Sequence, residues 1–403
     1  MKCLIVASAF APETGAAAYR LTELAAALRE TGIETEVLAP LPNYPTGKVF
    51  PAYRHKSYCR ETIRGIAVYR YPVLPSRSVR PLFRLPGMLF AALALWGFGA
   101  HRRRIIGYDF VLIQSPPLLS AISALYLFGK LYKKKILLNV SDLWPLTPAE
   151  LGKIRPSHLA YRLAERMERY LYRHATAVMG QSEEILNRIR RAFPEKPLFL
   201  YRNLRRETAA SGPGTAFSEN DSFCKLKIVY AGLLGRTQDL LSLLRRINFT
   251  ELKTELHLYG EGNQRPEIEK FIREHPGRSV RYCGLLPKPE MNRILPRYDA
   301  ALIPLSVPLT GAVPSKLFDA MAAGLPVLFC GGGEGAEIVR RHGIGFVSPP
   351  GNFRALENNI RALAALSRND RNDLSKRCLD TARQAFDFKT QFEEFLRFVK
   401  RMR

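Results

Sequence analysis

The chain has 403 residues, of which 61 are Lys or Arg and 36 Asp or Glu, a formal charge of +25 at pH 7. Its 47% hydrophobic and 24% charged residues are those of a two-domain globular protein, which excludes disorder as the source of the charge. Such an excess of cations requires an anionic partner, and composition leaves nucleic acid, an anionic membrane face and phosphorylated small molecules equally open. The six cysteines (Cys3, Cys59, Cys224, Cys283, Cys330 and Cys378) form no Cys-x-x-Cys pair and have no His at ligand spacing. They predict a reduced, cytosolic compartment with neither a zinc site nor a disulfide scaffold.

Taken in order, LIVASAF (4–10) reads as a fully buried strand, LTELAAALRETG (21–32) as an amphipathic helix ended by Gly32, and ETEVLAP (34–40) as the next strand. The run at 4–10 is a first strand rather than a signal peptide, because a helix-start pattern follows at once. Further strands are predicted at 66–74, 110–115, 135–141 and 175–182, with helices between several of them, so a parallel sheet covered on both faces follows. The periodicity lapses in YRNLRRETAASGPGTAFSENDS (201–222), the natural domain boundary. A second alternating series runs through 226–232, 255–260, 280–284, 300–305, 326–330 and 345–350, and a basic amphipathic helix is predicted at 384–403. The expected architecture is α/β, with two Rossmann-like domains at 1–205 and 206–383 followed by the terminal helix.

Leu85 to Ala100 is uncharged but holds Pro86, Gly87, Gly97 and Gly99. As a helix it would reach about 24 Å, short of the ~30 Å hydrocarbon core, so it is not expected to span a membrane. Residues 51–104 carry eleven Lys/Arg against one acid, Glu61. An apolar helix among Arg77, Arg80, Arg84 and Arg102 to Arg104 predicts an interfacial contact with anionic lipid through residues 77–104. The alternative is a core helix beside a solvated basic loop.

Ligands of such domains bind outside the carboxyl ends of the strands. In FAPETGAAAYR (10–20), Gly15 and Ala16 open a helix whose amides can approach a phosphate, with Arg20 one turn further in. In GAVPSKLFDAMAAGLPVL (311–328), Lys316 sits at a helix start, where a cation opposes the helix dipole unless an anion binds there too. Asp319 lies on nearly the same face, where it can accept ribose hydroxyls or pair with Lys316. LYGEGNQ (258–264) and YCGLLPK (282–288) supply Gly260, Gly262, Gly284 and Leu285, suited to close approach of a ligand and a base. Asp142, after a strand, can orient or deprotonate a hydroxyl or cap a helix.

DAMAAGLPVL, GGGEGAEIV and HGIGFVSPPGN resemble the donor-binding half of glycosyltransferase family 4, nucleotide-sugar enzymes of the GT-B fold. FAPETGAAAYR, PLPNYPTGKVFPAY, QSPPLLSAI and VSDLWPLTPAELG resemble its bacterial exopolysaccharide and O-antigen branch, including colanic-acid fucosyltransferase-like members. The resemblance implies two domains facing a cleft, with the terminal helix crossing back to the first. It also implies a retaining, metal-independent, cofactor-free transfer from a nucleotide-diphosphate sugar to a lipid-linked glycan, on the inner face of the cytoplasmic membrane. Donor contacts then fall to Gly15, Ala16, Arg20, Gly235, Gly260, Gly262, Gly284, Leu285, Val313, Ser315, Asp319 and Glu337. Asp142, Lys316 and Arg236 are expected to act in catalysis, and Asn43, Tyr44 and Trp144 to line the acceptor pocket.

Two departures from the family pattern stand out. The first of its two spaced glutamates is Gly311 here, the second the shorter Asp319, and its diphosphate-binding Arg and Lys map to Leu233 and Gln238. These motivate a degenerate, non-catalytic subunit as one rival, beside a nucleotide-sugar epimerase. GGGEGA (331–336) spells a dinucleotide fingerprint but lacks the acid at the next strand's end. A basic nucleic-acid-binding protein rests on charge alone, since no helix-turn-helix, RNP-like pattern or basic zipper occurs, and nucleic acid is not an expected partner.

Overall fold

Short β-rich runs with no charge in their centres can only be satisfied as strands buried on both faces, and in the computed structural model they form two separate sheets. The structure describes residues 1–44, 47–76, 81–206 and 225–402, the side chains of 81–84 excepted. Arg77 and Arg80, the side chain of Arg84 and most of the expected boundary segment lie outside these residues. Two compact units result, Met1–Asn203 with Phe392–Arg403, and Leu204–Gln391.

The first unit holds β1 (Lys2–Val6), β2 (Glu34–Pro40), β3 (Cys59–Ile63), β4 (Ile66–Tyr71), β5 (Phe110–Ser115), β6 (Lys135–Val140), β7 (Ala177–Gly180) and β8 (Leu198–Leu200). Their order is β3-β4-β2-β1-β5-β6-β7-β8, with Val6 opposite Leu38 on one side and Ile113 on the other. All pairs are parallel except β3–β4. This antiparallel edge corrects the expectation of a wholly parallel sheet. CRETI alternates half-buried and exposed positions, so β3 gives no continuous apolar run. β4 ends at Tyr71 rather than 74 because Pro72 has no ladder donor.

The second unit holds β9 (Leu226–Ala231), β10 (Thr254–Tyr259), β11 (Val280–Tyr282), β12 (Ala300–Pro304), β13 (Val327–Cys330) and β14 (Gly345–Ser348). They are parallel in the order β11-β10-β9-β12-β13-β14. Strand order reverses between β9 and β12 here, and between β1 and β5 in the first sheet. These switch points are where doubly wound sheets leave room for ligands.

Helices named below are α1 (Ala16–Glu30), α2 (Pro81–Ala94), α3 (Leu118–Ala124), α4 (Leu159–His174), α5 (Lys288–Ile294), α6 (Ser315–Ala322), α7 (Gly333–His342), α8 (Arg368–Gln384) and α9 (Phe388–Arg401). One terminal helix from 384 is not what forms. α8 stops at Gln384, and Asp387 starts α9 by accepting the Thr390 amide at 2.7 Å. Phe395 of α9 is buried against Phe199 and Tyr201, with ring centroids 5.7 and 5.2 Å apart, and Lys135 Nζ donates to the Met402 carbonyl at 2.6 Å. These contacts hold the chain end in the first unit.

The apolar run at 85–100 is also divided. It passes from α2, with Pro86 inside it, into a tighter 3-10 segment at Leu95–Ala100. Leu95 and Phe98 enter the core, while Leu85, Leu89, Leu93 and Trp96 stay exposed. Gly97 is required because a side chain there would meet the Tyr58 ring, whose hydroxyl donates to Ala94 O at 2.7 Å. The segment is thus a core helix with an exposed apolar stripe, and no helix among the described residues is long and apolar enough to cross a membrane.

Candidate functional site

The loop after β1 turns into α1 at Gly15, whose extended backbone caps the helix without any side-chain hydrogen bond. No acid occupies the first turn, so the first amides and the positive dipole end are left to solvent or a ligand. The Tyr44 ring lies directly on Gly15, since a Cβ there would come within 3.1 Å of it. Gly15 therefore has a packing reason beside its helix-opening one. Asn43 and Tyr44 follow β2 at the same end of the sheet, fixed by Glu13: its Oε1 accepts both their amides at 2.8 Å.

Arg20, expected to point at a ligand, is instead buried and committed within its own unit. It donates to Gln181 at 2.5 Å, Asn203 at 2.8 Å and the Ser141 hydroxyl at 2.5 Å. Burial pushes its pKa down to about 10, opposed by the nearby Asp142 carboxylate. Arg20 therefore ties together the ends of β6, β7 and β8 and supplies the positive field beside Asp142. The Asp142 carboxyl itself reaches solvent, yet the protein crowded around it raises its pKa, with Arg20 pulling it back. It caps no helix among those described. Two residues on, the Trp144 amide donates to Glu168 Oε1 at 2.9 Å, and the Tyr172 hydroxyl donates to the same oxygen at 2.8 Å. Glu168 is buried on α4, and desolvation pushes its pKa up to about 7. Trp144 packs by its ring against the first core.

In the second unit, Lys316 lies in the first turn of α6, the helix that follows β12, and its Nζ reaches across to β9. It donates to the Tyr230 hydroxyl at 2.8 Å and sits 3.9 Å from that ring's centroid. Lys316 thereby spans the β9/β12 switch point. Its partner is neutral, because burial pushes the Tyr230 phenol far up, and burial pushes the Lys316 amine down to about 7. The alternative pairing of Lys316 with Asp319 does not form. Asp319 is bound by Lys288 of α5, at 3.2 Å. Ser315 opens α6, Val313 just before it is buried, and Gly311 adopts a positive φ of 80°.

The glycines nearby have a different reason from the one expected. A Cβ at Gly260 would come within 1.8 Å of the Gly232 carbonyl oxygen, and one at Gly262 within 2.2 Å of Leu234 O. Their close approach is to the neighbouring loop, not to an open ligand surface. The Leu234 amide donates to Glu261 O at 2.9 Å, and the Ser306 amide to Thr237 O at 2.9 Å, so the loops after β9, β10 and β12 form one block. That block carries Gly235 and the exposed Arg236, with Gly284 and the exposed Leu285 after β11. Glu337 faces solvent in mid-α7; the buried acid at that helix start is Glu334.

Sequence reasoning did not find Glu13, Glu168, Tyr230 or Lys288. Each acts through a partner distant in sequence, and no local spacing marks it.

Residues 15–199 match the glycosyl transferase 4-like domain family, and residues 225–365 match the glycosyl transferases group 1 family. A probable glycosyltransferase of Pseudomonas aeruginosa, WbjE, is 29% identical over 241 residues, 58% of this chain and 60% of that relative's own length. Among solved structures, sucrose-phosphate synthase from Thermosynechococcus elongatus superposes with a TM-score of 0.73 at 15% identity, covering 100% of this chain and 99% of that one. Anabaena HepE in complex with UDP gives 0.66 at 15% identity over 99% and 100%. WaaG, a glycosyltransferase involved in lipopolysaccharide biosynthesis, gives 0.62 at 13% identity over 95% of each chain.

Proposed function

For a chain built of the two domains of GT-B glycosyltransferases, a glycosyl transferase 4-like domain and a group 1 domain, we propose transfer of a sugar from a nucleotide-diphosphate sugar to a polyprenyl-diphosphate-linked glycan in bacterial surface polysaccharide assembly. The observation that carries this reading is Lys316, a half-buried amine whose hydrogen-bond partner is the neutral Tyr230 hydroxyl, held at the switch point of the group 1 domain. A group so placed gains most from an incoming dianion, which restores its charge and draws it off Tyr230. The α6 amides beside it and Arg236 add donors for the same diphosphate.

In this proposal the anomeric carbon–oxygen bond to the diphosphate breaks while the acceptor hydroxyl forms the new bond on the same face. The acceptor proton passes to the leaving phosphate oxygen, and Lys316 with Arg236 stabilises the charge that develops there. Asp142, polarised by Arg20, orients the acceptor hydroxyl, and Tyr44 and Trp144 offer rings to its sugar. The absence of any Asp-x-Asp sequence supports a metal-independent route. The exposed leucines of α2 beside Arg102 to Arg104 support peripheral attachment to the inner face of the cytoplasmic membrane, where the lipid-linked acceptor resides.

The test is binding of a panel of nucleotide sugars by calorimetry, then transfer of the one bound to lipid-linked saccharides, with NMR assignment of the anomeric configuration. Retained configuration supports the proposal and an inverted product refutes the same-face mechanism. Binding without transfer to any acceptor would favour the non-catalytic subunit suggested by Gly311, Leu233 and Gln238.

A further inference from the structure

Two buried charges of opposite sign, Glu13 and Arg70, each bind the backbone at the ends of β1 and β2. Glu13, only 6% exposed, accepts the amides of Asn43 and Tyr44 at 2.8 Å on Oε1 and that of Phe10 at 3.3 Å on Oε2. Arg70, buried on β4, donates through its fork to the carbonyls of Pro40, at 3.2 Å, and Ala11. Its Nε is held by Glu61 Oε1 at 2.7 Å. The anion thus gathers amides and the cation gathers carbonyls from the same two loops.

Buried charged groups are weak evidence for stability, because apolar replacements of like volume commonly serve as well. What apolar side chains cannot supply is the fixed geometry of five backbone hydrogen bonds reaching two loops. Glutamine would keep the Asn43 and Tyr44 amides on its single oxygen and turn its nitrogen toward the Phe10 amide, whereas leucine accepts none of the three. The loop so fixed carries Asn43 and the Tyr44 ring, which lies on Gly15 over the first turn of α1. Burial raises the Glu13 pKa, while the three amides and Arg70 draw it back toward the ionised form.

We propose that Glu13 and Arg70 form a clasp that positions Asn43 and Tyr44 for the acceptor, as positioning residues that never touch it. This rests on the reading of the first domain as the acceptor side.

The test uses the full chain, with Glu13→Leu, which removes every acceptor, and with Arg70→Lys, which keeps the charge but loses the fork. By hydrogen–deuterium exchange, the amides of Asn43 and Tyr44 should exchange at least about tenfold faster in Glu13→Leu, the loss expected for a charge-assisted hydrogen bond at each. Peptides covering β1 and β5 should be unchanged. Unchanged exchange at Asn43 and Tyr44, or faster exchange throughout the domain, overturns the clasp. With undecaprenyl-diphosphate N-acetylglucosamine in phosphatidylglycerol vesicles as acceptor probe, KM for the acceptor should rise about tenfold. The donor Kd and kcat should stay within about twofold. A fall in kcat at constant KM also overturns the positioning role. Wild-type protein that transfers nothing to this probe counts against the proposed function, and the exchange measurement then decides the clasp alone.

Discussion

Glu168 offers a test of the geometry around Trp144 that needs no ligand. The carboxyl is buried and holds the Trp144 amide at 2.9 Å, and desolvation pushes its pKa from 4.5 up to about 7. Between those values the folded chain binds one more proton than the unfolded chain, so its stability falls as pH rises through this window. At about 1.4 kcal/mol per pH unit, the full loss is about 3 kcal/mol above pH 7. Glu168→Gln removes the titration while its amide oxygen still accepts from Trp144. The variant should therefore gain on the wild type by about 2–3 kcal/mol between pH 4.5 and 8, a change read as the difference between the two stability curves. Urea unfolding followed by tryptophan fluorescence is selective for this purpose, since the two tryptophans, Trp96 and Trp144, both lie in the first unit. Parallel curves for wild type and variant across that range would refute the reasoning, as would a relative loss of stability in the variant at high pH.

Lys316→Ala should weaken binding of the nucleotide sugar that the wild type takes up at least about tenfold in calorimetry. Because the amine is pushed down to about 7, wild-type affinity should fall as pH rises from 7 to 9, and the variant should lose that dependence. Gly260→Ala would place a Cβ within 1.8 Å of a backbone oxygen that cannot move aside, so the second domain's calorimetric transition should drop by more than about 2 kcal/mol in stability. Leu93, 72% exposed on α2, should matter only at a lipid surface. Leu93→Glu should reduce retention on phosphatidylglycerol vesicles at least about tenfold, the transfer energy of one leucine side chain, with nucleotide-sugar binding unchanged.

The central strands were legible because each is an uninterrupted apolar run, as in LIV of β1 or VLFC of β13. β3 and β8 were not. The first alternates exposure on an edge and the second is three residues long, so neither carries a signal above its surroundings. At the site, the helix start at Pro314 and Ser315 and the oddly placed Lys316 stood out from local spacing. Its partner did not: Tyr230 is 86 positions away and reaches it only because β9 and β12 are neighbours. The same holds for Asp319, whose nearest cation in sequence is Lys316 but whose partner in space is Lys288. Arg70 was read as one more position in a strand. Its bonds to the Pro40 and Ala11 carbonyls follow from the pairing of β4 with β2, which a single sequence does not encode at any fixed interval.

The central claim is that Lys316 holds the diphosphate of a nucleotide-sugar donor. Calorimetric titration of the full chain with a panel of uridine, guanosine, adenosine and deoxythymidine diphosphate sugars, in wild type and Lys316→Ala, tests it most directly. Saturable binding of at least one donor by the wild type, weakened about tenfold or more by the substitution, is the predicted result. Equal affinity in the two proteins would remove Lys316 from the site, and failure of the wild type to bind any donor would contradict the account.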